Sequence, residues 1–418
     1  MKSDIDALMD ARDMDAIVVL GNAENNPPMH YLTNGGHVSA ATLVKVRGQP
    51  AVLYCSDMER DEAARSGLEV RLYSQYPVEE LMEEAGGDYS RMEALRFQRI
   101  CKDLQLSRGS LGLYGNVEAS NVLTLIEHLR ELLPDLAIKG DRNMDSLFLH
   151  AMETKSEDEV ARIREMGSRT TAVVALTAEY LSACEVREDE VLLKEDGLPL
   201  TVGDVKRKIN LWLAERNAVP SKGYIFAIGR DAGVPHSQGN PGDLLRLGQT
   251  IVFDIYPQEA GGGYFYDFTR TWSLGYALPE AQALFDQVHE VYRLVLESMD
   301  LNTPFKQYQR MTCEFFEARG HRSQLNTSAP QDGYVHSLGH GVGINIHERP
   351  FSSLLTGDDH RLVPGAVIAV EPGLYYPDKG MGFRLEDTYW VRPDGKMEIL
   401  AEYPYDFVLP MKKWSGVR

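Results

Sequence analysis

The spacing of apolar and polar positions divides the chain into two stretches of different character. Over residues 1–150, short apolar runs alternate with helical spacings. Ile17-Val18-Val19-Leu20, bounded by Gly21-Asn22, has the length and composition of a buried strand. Ala41 to Val46 and Ala51 to Tyr54 flank the turn-forming Arg47-Gly48-Gln49-Pro50, which predicts a hairpin. Asp57 to Ser66 and Asn121 to Leu133 carry helical spacing. In the second, Leu123, Ile126, Leu129 and Leu133 fall on one face. The pattern is that of a small α/β domain without a chemical motif.

A boundary falls near Ala151 to Lys155. Ser156-Glu157-Asp158-Glu159 reads as a capping box, in which Ser156 accepts from the Glu159 N–H and Glu159 reaches back. The helix it opens continues past Gly167 towards Ala183, because Val160, Ile163 and Met166 keep the period. Helices are also predicted over Val202 to Glu215, Pro279 to Met299 and Pro304 to Arg319. Strand-and-turn segments are expected at Gly223 to Ile228, Thr250 to Tyr256, Tyr264 to Trp272, Val367 to Val370 and Phe383 to Val391. Residues 151–418 are therefore expected to form an α+β domain whose polar residues cluster on its strands.

Composition narrows the partners. Among 418 residues, 43 Lys+Arg against 62 Asp+Glu give a net charge of −19. Such a chain repels phosphate backbones and anionic lipid heads, so neither nucleic acid nor a membrane surface is an expected partner. No run approaches the eighteen or so apolar residues of a membrane span. Cys55, Cys101, Cys184 and Cys313 lie far apart with no CxxC pair, which suits free thiols of a reducing compartment. The acidic segment MKSDIDALMDARDMDAIVVL lacks both the basic and the apolar regions of a secretory signal, and a cytoplasmic location is expected.

The chemistry concentrates in the second stretch. Asp254 interrupts the apolar run Thr250-Ile251-Val252-Phe253-Asp254-Ile255-Tyr256, and a buried carboxylate must be protonated, paired or metal-bound. After the turn Gly261-Gly262-Gly263, period two sets Asp267, Thr269 and Thr271 on one face of the next strand. A hairpin then brings Asp254 and Asp267 together, and two close carboxylates repel unless a cation lies between them. Further on, His336, His340 and His347 fall within twelve residues, with glycines around His340 that allow close backbone approach. Glu371 ends an apolar strand before Pro372-Gly373, and Glu386 shares a face with Arg384 and Thr388.

Each of these has an ordinary reading taken singly: a strand-end turn residue, a salt-bridged face, a core histidine, a cross-face ion pair. Together, Asp254, Asp267, His340, Glu371 and Glu386 offer four carboxylates and one imidazole. That oxygen-rich set suits two divalent ions such as Mn²⁺, Co²⁺ or Zn²⁺ better than one tetrahedral structural zinc. A dinuclear site of this kind activates water for hydrolysis. Gly339-x-Gly341-x-Gly343 lacks the βαβ context of a dinucleotide fingerprint, and neither GxxxxGK[ST] nor GxSxG occurs.

The segments Asp254 to Thr271, His336 to Pro350, Ala369 to Gly373 and Arg384 to Thr388 resemble the metal-site motifs of the creatinase/aminopeptidase P/prolidase family, whose catalytic domain has the "pita-bread" fold. Tyr31-Leu32-Thr33-Asn34-Gly35 is similar, more weakly, to that family's N-terminal domain. The resemblance implies that Asp254 chelates one metal and Asp267 bridges both. It implies that His340 and Glu371 complete the second metal, that Glu386 is the other bridge, and that Glu371 is also the general base. By the same resemblance His347 contacts the scissile carbonyl, His236 and His336 lie near the proline pocket, and Arg384 supports the ligands.

The activity implied is hydrolysis of the Xaa-Pro bond of a small peptide by a homodimer. An Xaa-Pro dipeptidase (prolidase) is favoured on domain lengths, and an Xaa-Pro aminopeptidase (aminopeptidase P) would use the same residues. A hydrolase of non-peptide C–N bonds on this fold is a further alternative. A non-catalytic binding module would have lost some of the five ligands, and none is lost. One departure stands out: the Asp254-to-Asp267 interval is two residues longer than the usual family spacing, with Pro257 and three glycines inside it. The Met381-Gly382-Phe383 approach to Arg384 also differs, in a minor way.

Overall fold

The protein is described by a computed structural model covering residues 4–414. Contacts divide the chain into two compact units, one running to Met152 together with Gly261–Gly263, the other comprising Glu153–Ala260 and Tyr264 onward.

The first unit is built on a six-stranded sheet of β1 (Ala16–Gly21), β2 (Ala41–Val46), β3 (Ala51–Cys55), β4 (Glu69–Leu72), β5 (Gly109–Gly115) and β6 (Leu136–Lys139), in the order β4-β3-β2-β1-β5-β6. The expected hairpin is present, with Val44 opposite Val52 and, on its other side, Val18. These join Met92, Leu95 and Ile100 of the helix Tyr89–Asp103 in one apolar core. The helix expected over Asp57 to Ser66 is shorter. A 3-10 turn at Asp57–Glu59, capped by Ser56, leads into a helix of Arg60–Ala64. Ala63 alone is buried there, so no apolar stripe rewards a longer helix.

The second unit opens with the helix Glu157–Ala183, and the capping box of Ser156 and Glu159 is formed at its start. Gly167 lets this helix lie against the Tyr266 ring: a Cβ there would stand 2.6 Å from it. Two short strands, β7 (Glu185–Val186) and β8 (Leu192–Leu193), follow. Next come β9 (Ala218–Val219), β10 (Ile225–Ile228), β11 (Thr250–Ile255), β12 (Gln258–Glu259) and β13 (Phe268–Leu274). A second sheet holds β14 (Gly339–Gly341), β15 (Glu348–Phe351), β16 (Val367–Val370), β19 (Asp387–Val391) and β20 (Met397–Ile399). Between β16 and β19, β17 (Gly373–Tyr376) and β18 (Met381–Arg384) form a hairpin. The last strand, β21 (Val408–Leu409), completes a sheet ordered β10-β11-β13-β21.

Two expected strands come out differently. The ladder expected from Tyr264 is continuous only from Phe268, the preceding residues being held by separate contacts to Pro257, Gln258 and Glu259. The strand expected over Phe383 to Val391 is two strands, because Arg384 pairs with Gly373 whereas Asp387 pairs with Val370. Leu385 and Glu386 carry the chain from one partner to the other. Glu386 there exchanges two backbone hydrogen bonds with Thr269, at 3.3 and 3.1 Å. Period two survives the break, so Arg384, Glu386 and Thr388 all reach the β11–β13 hairpin.

Candidate metal centre

The β11–β13 register sets Asp254 opposite Thr269 and Ile255 opposite Phe268. Asp254 and Asp267 are thus diagonal neighbours on one face, and both are buried. His340 comes from β14, the strand that pairs with β16, with His340 opposite Ala369. Glu371 follows β16 directly, its N–H donating to the Leu338 carbonyl at 2.7 Å. Glu386 arrives from the crossing between β18 and β19. Ligand atoms of Asp267, His340 and Glu386 all lie within 4.8 Å of one another. His340 Nε2 is 3.5 Å from Asp267 Oδ2 and 3.6 Å from Glu371 Oε1. Since the Gly341 carbonyl, 3.0 Å from His340 Nδ1, can only accept, Nδ1 carries the ring hydrogen and the Nε2 lone pair faces the carboxylates.

Supporting groups orient these donors. Thr269 Oγ1 donates to Glu386 Oε2 at 2.6 Å. Arg384 donates from Nη2 to Asp254 Oδ2, from Nε to Thr269 Oγ1 at 3.2 Å and from Nη1 to the Tyr375 hydroxyl at 2.7 Å. His336 shares that hydroxyl through Nε2 at 2.8 Å. His347 is exposed at the end of the loop before β15, with its ring edge-on to His340 at a centroid distance of 4.3 Å. His236 is exposed, and its charge acts on Asp254 and His347. All nine residues singled out from the sequence therefore gather around one site. Tyr375 was missed, although period two from Gly373 sets it on a definite face. Also missed was Lys155, whose ammonium meets Glu348 at 2.7 Å with both side chains buried, one residue from His347. No sequence signal links positions so far apart.

The donor set fits divalent cations. Four carboxylates face one guanidinium, and among the described residues Asp254 Oδ1 is buried with no hydrogen-bond partner. Burial, then the charges of Asp254 and Glu371, push Asp267 well above the usual carboxylate range. Burial and the charges of Asp267, Glu371 and Asp254 do the same to Glu386. Burial raises Asp254 against the pull of Arg384, and raises Glu371 to about 8. Such crowding is relieved by a cation among the oxygens.

These directions predict the behaviour of the metal-free protein. Desolvation lowers His336 and His340 to about 3, so they oppose folding only where the unfolded chain protonates them, below about pH 6.5. Glu371 is raised, so its contribution is fully present below its unfolded value of 4.5 and is lost as pH rises through about 8. Above pH 6.5 the carboxylates act alone, and the Tm of chelator-treated protein is expected to fall between pH 6.5 and 8.5. Thermal melts check this. A rising Tm over that interval would contradict the crowding, and added Mn²⁺ is expected to flatten the dependence.

Residues 161–393, more than half the chain, match the family model of metallopeptidase family M24. The chain belongs to metallopeptidase family M24. It is 25% identical over 398 residues to an Xaa-Pro dipeptidase of Pyrococcus horikoshii, covering 94% of each chain. Against the putative dipeptidase YkvY of Bacillus subtilis it is 33% identical over 182 residues, a match spanning under half of that relative, 46%. Among solved structures, a prolidase from Pyrococcus horikoshii superposes with a TM-score of 0.72 at 21% identity, over 97% of this chain and 99% of that one. An X-Pro aminopeptidase from Thermotoga maritima gives 0.72 at 21% identity, over 94% and 97%. This M24 metallopeptidase has the family's pita-bread catalytic fold, α+β, preceded by a smaller α/β unit. Among its described residues, no helix is long and apolar enough to cross a membrane.

Proposed function

We propose that this M24 peptidase hydrolyses the bond preceding proline in small peptides, as an Xaa-Pro dipeptidase using two divalent ions. The observation that carries the reading is the cluster of buried Asp254, Asp267, His340 and Glu386 with half-buried Glu371, its surplus negative charge and, among the described residues, an unpartnered Asp254 oxygen. The name of the Pyrococcus horikoshii relative, matched over nearly its whole length, supports the substrate class. Asp254, Asp267 and Glu386 would hold one ion, and Asp267, His340, Glu371 and Glu386 the other. Mn²⁺, Co²⁺ and Zn²⁺ all suit such a set. Bound there, divalent ions supply Lewis acidity towards a carbonyl and a water of lowered pKa.

The chain's own residues do the rest. Glu371, half-buried at the end of β16, accepts a proton on its carboxylate and returns it to the departing proline nitrogen. His347 offers its ring to the scissile carbonyl oxygen, and His236 and His336 line the side where proline lies. Arg384 holds Asp254 and, through Tyr375, His336 in fixed orientation. His347→Ala is expected to lower kcat roughly 10²–10³-fold, as loss of a donor to a developing oxyanion does. An unchanged kcat would remove His347 from the reacting centre.

An Xaa-Pro aminopeptidase is the second reading, because the Thermotoga maritima enzyme superposes as closely as the prolidase does. The deciding assay offers an Xaa-Pro dipeptide and an Xaa-Pro-Xaa tripeptide to metal-stripped enzyme re-supplied with Mn²⁺. Cleavage of the dipeptide alone means dipeptidase, and strong tripeptide cleavage means aminopeptidase. Silence on both with two metals bound would favour a non-peptide C–N hydrolase. We further propose a cytoplasmic homodimer: the described cysteines are free and buried, and the dimer rests on the family resemblance.

A further inference from the structure

One aromatic residue stands at the site in the very stretch where the chain is longer than the family spacing. Continuing the β11–β13 register by one residue beyond Ile255 and Phe268 sets Tyr256 opposite Asp267. The register does continue, because the Tyr266 N–H donates to the Pro257 carbonyl at 3.2 Å and Gln258 bridges to Phe265. Residues two apart on a strand, and residues directly opposite across it, share a face. Tyr256 therefore flanks both Asp254 and Asp267. Its side chain is half-buried, and the charges acting on its hydroxyl are those of Asp254, Asp267, Arg384 and Glu386.

Among the described residues, no hydrogen bond reaches the Tyr256 hydroxyl. Tyr375, by contrast, is tied to both His336 and Arg384. Nor is Tyr256 on a loose tip. Beyond it, β12 pairs with β9, Ser221 donates to the Gln258 side chain at 2.7 Å, and Arg162 grips Glu259 at 3.1 and 2.5 Å. The glycine turn Gly261-Gly262-Gly263 comes only after these anchors. A phenol held this firmly, facing the ligand cluster without a protein partner, has a hydrogen bond to give to whatever fills the cleft.

We propose that Tyr256 contacts the substrate, its hydroxyl donating to an oxygen of the bound peptide and its ring walling the pocket for the residue ahead of the scissile bond. A phenol surrounded by carboxylates acts as a donor, and carbonyl oxygens are the acceptors that a peptide brings. The cationic amino terminus of the peptide would be drawn to the carboxylates instead. This inference rests on the reading of the site as a peptidase cleft, and it gives a role to a residue to which the family resemblance assigns none.

The test compares Tyr256→Phe and Tyr256→Ala with wild-type holoenzyme on Gly-Pro, Leu-Pro, Phe-Pro and two dipeptides lacking proline, with bound metal counted by elemental analysis. The Phe variant is expected to keep its metal and lose about five- to tenfold in kcat/KM, the worth of one neutral hydrogen bond. The Ala variant is expected to favour Phe-Pro over Gly-Pro about tenfold more than wild type does, because the pocket is enlarged. Wild-type kcat/KM in the Phe variant would overturn the contact. Loss of metal in that variant would overturn it too, by making Tyr256 part of the ion site. If wild type cleaves only the proline-free dipeptides, the proline reading fails while the variants still test Tyr256 on those peptides. Silence on every peptide removes both.

Discussion

Glu371→Gln is expected to lower kcat on an Xaa-Pro dipeptide by roughly 10²–10⁴-fold, the range for loss of a positioned proton-transfer group. The carboxylate stands where β16 ends, its backbone fixed to Leu338 and its Oε1 3.6 Å from His340 Nε2. It is more open to solvent than Asp267 or Glu386, with 17% side-chain exposure against 6% for Asp267. Of the acidic cluster, it is thus well disposed to exchange a proton with a substrate. Glutamine keeps the shape and one oxygen donor but cannot carry the proton. Activity is to be read beside bound-metal content, so that lost chemistry and lost metal are told apart. A variant within tenfold of wild type, with its metal intact, would end the proton-transfer role.

Arg270→Met is expected to destabilise the second unit by about 3–5 kcal/mol, the cost of leaving one partner of a buried ion pair alone. Arg270 and Asp387 meet at 2.9 Å with side chains 1% and 0% exposed. The guanidinium also donates to the carbonyls of Pro404, Tyr403, Glu386 and Thr269, at 2.8 to 3.0 Å. Asp387 Oδ2 in turn accepts from Tyr292 at 2.5 Å and Tyr405 at 2.8 Å. Removing Arg270 strands a desolvated carboxylate and frees the backbone carrying Glu386. A Tm lower by on the order of 10 °C and weaker metal binding are expected together. A Tm within 2 °C or so of wild type would mean that the tyrosines alone satisfy Asp387. Arg270→Lys should recover only part of the loss, since an ammonium cannot span the same fork of acceptors.

Much of the site was legible before the fold was known, for a reason particular residues make plain. Asp254 and Glu371 end or interrupt apolar runs, where a carboxylate needs an explanation, and period two tied Asp267 to Thr269 and Arg384 to Glu386. Those are local relations, carried by strand geometry alone. The capping box at Ser156 was equally readable, because both partners lie within one helical turn. Boundaries were less so. The segment from Phe383 to Val391 keeps its alternation while changing partner at Leu385-Glu386, and alternation says nothing about which strand pairs with which.

By itself, then, the sequence determined the chemical inventory: an acidic, histidine-bearing α+β domain of metal-site character, with donors assigned to faces by the strand period. Only the tertiary structure decided how those faces meet. It set Asp267 diagonal to Asp254 and opposite Tyr256, turned the His340 lone pair towards the carboxylates, and joined Arg384 to Tyr375 and Lys155 to Glu348. The physical reason is one of range. Side-chain alternation and capping act over two to four residues and leave their mark in the local pattern. Register between strands and the pairing of buried groups are instead fixed by packing and desolvation between segments 9 to 193 residues apart.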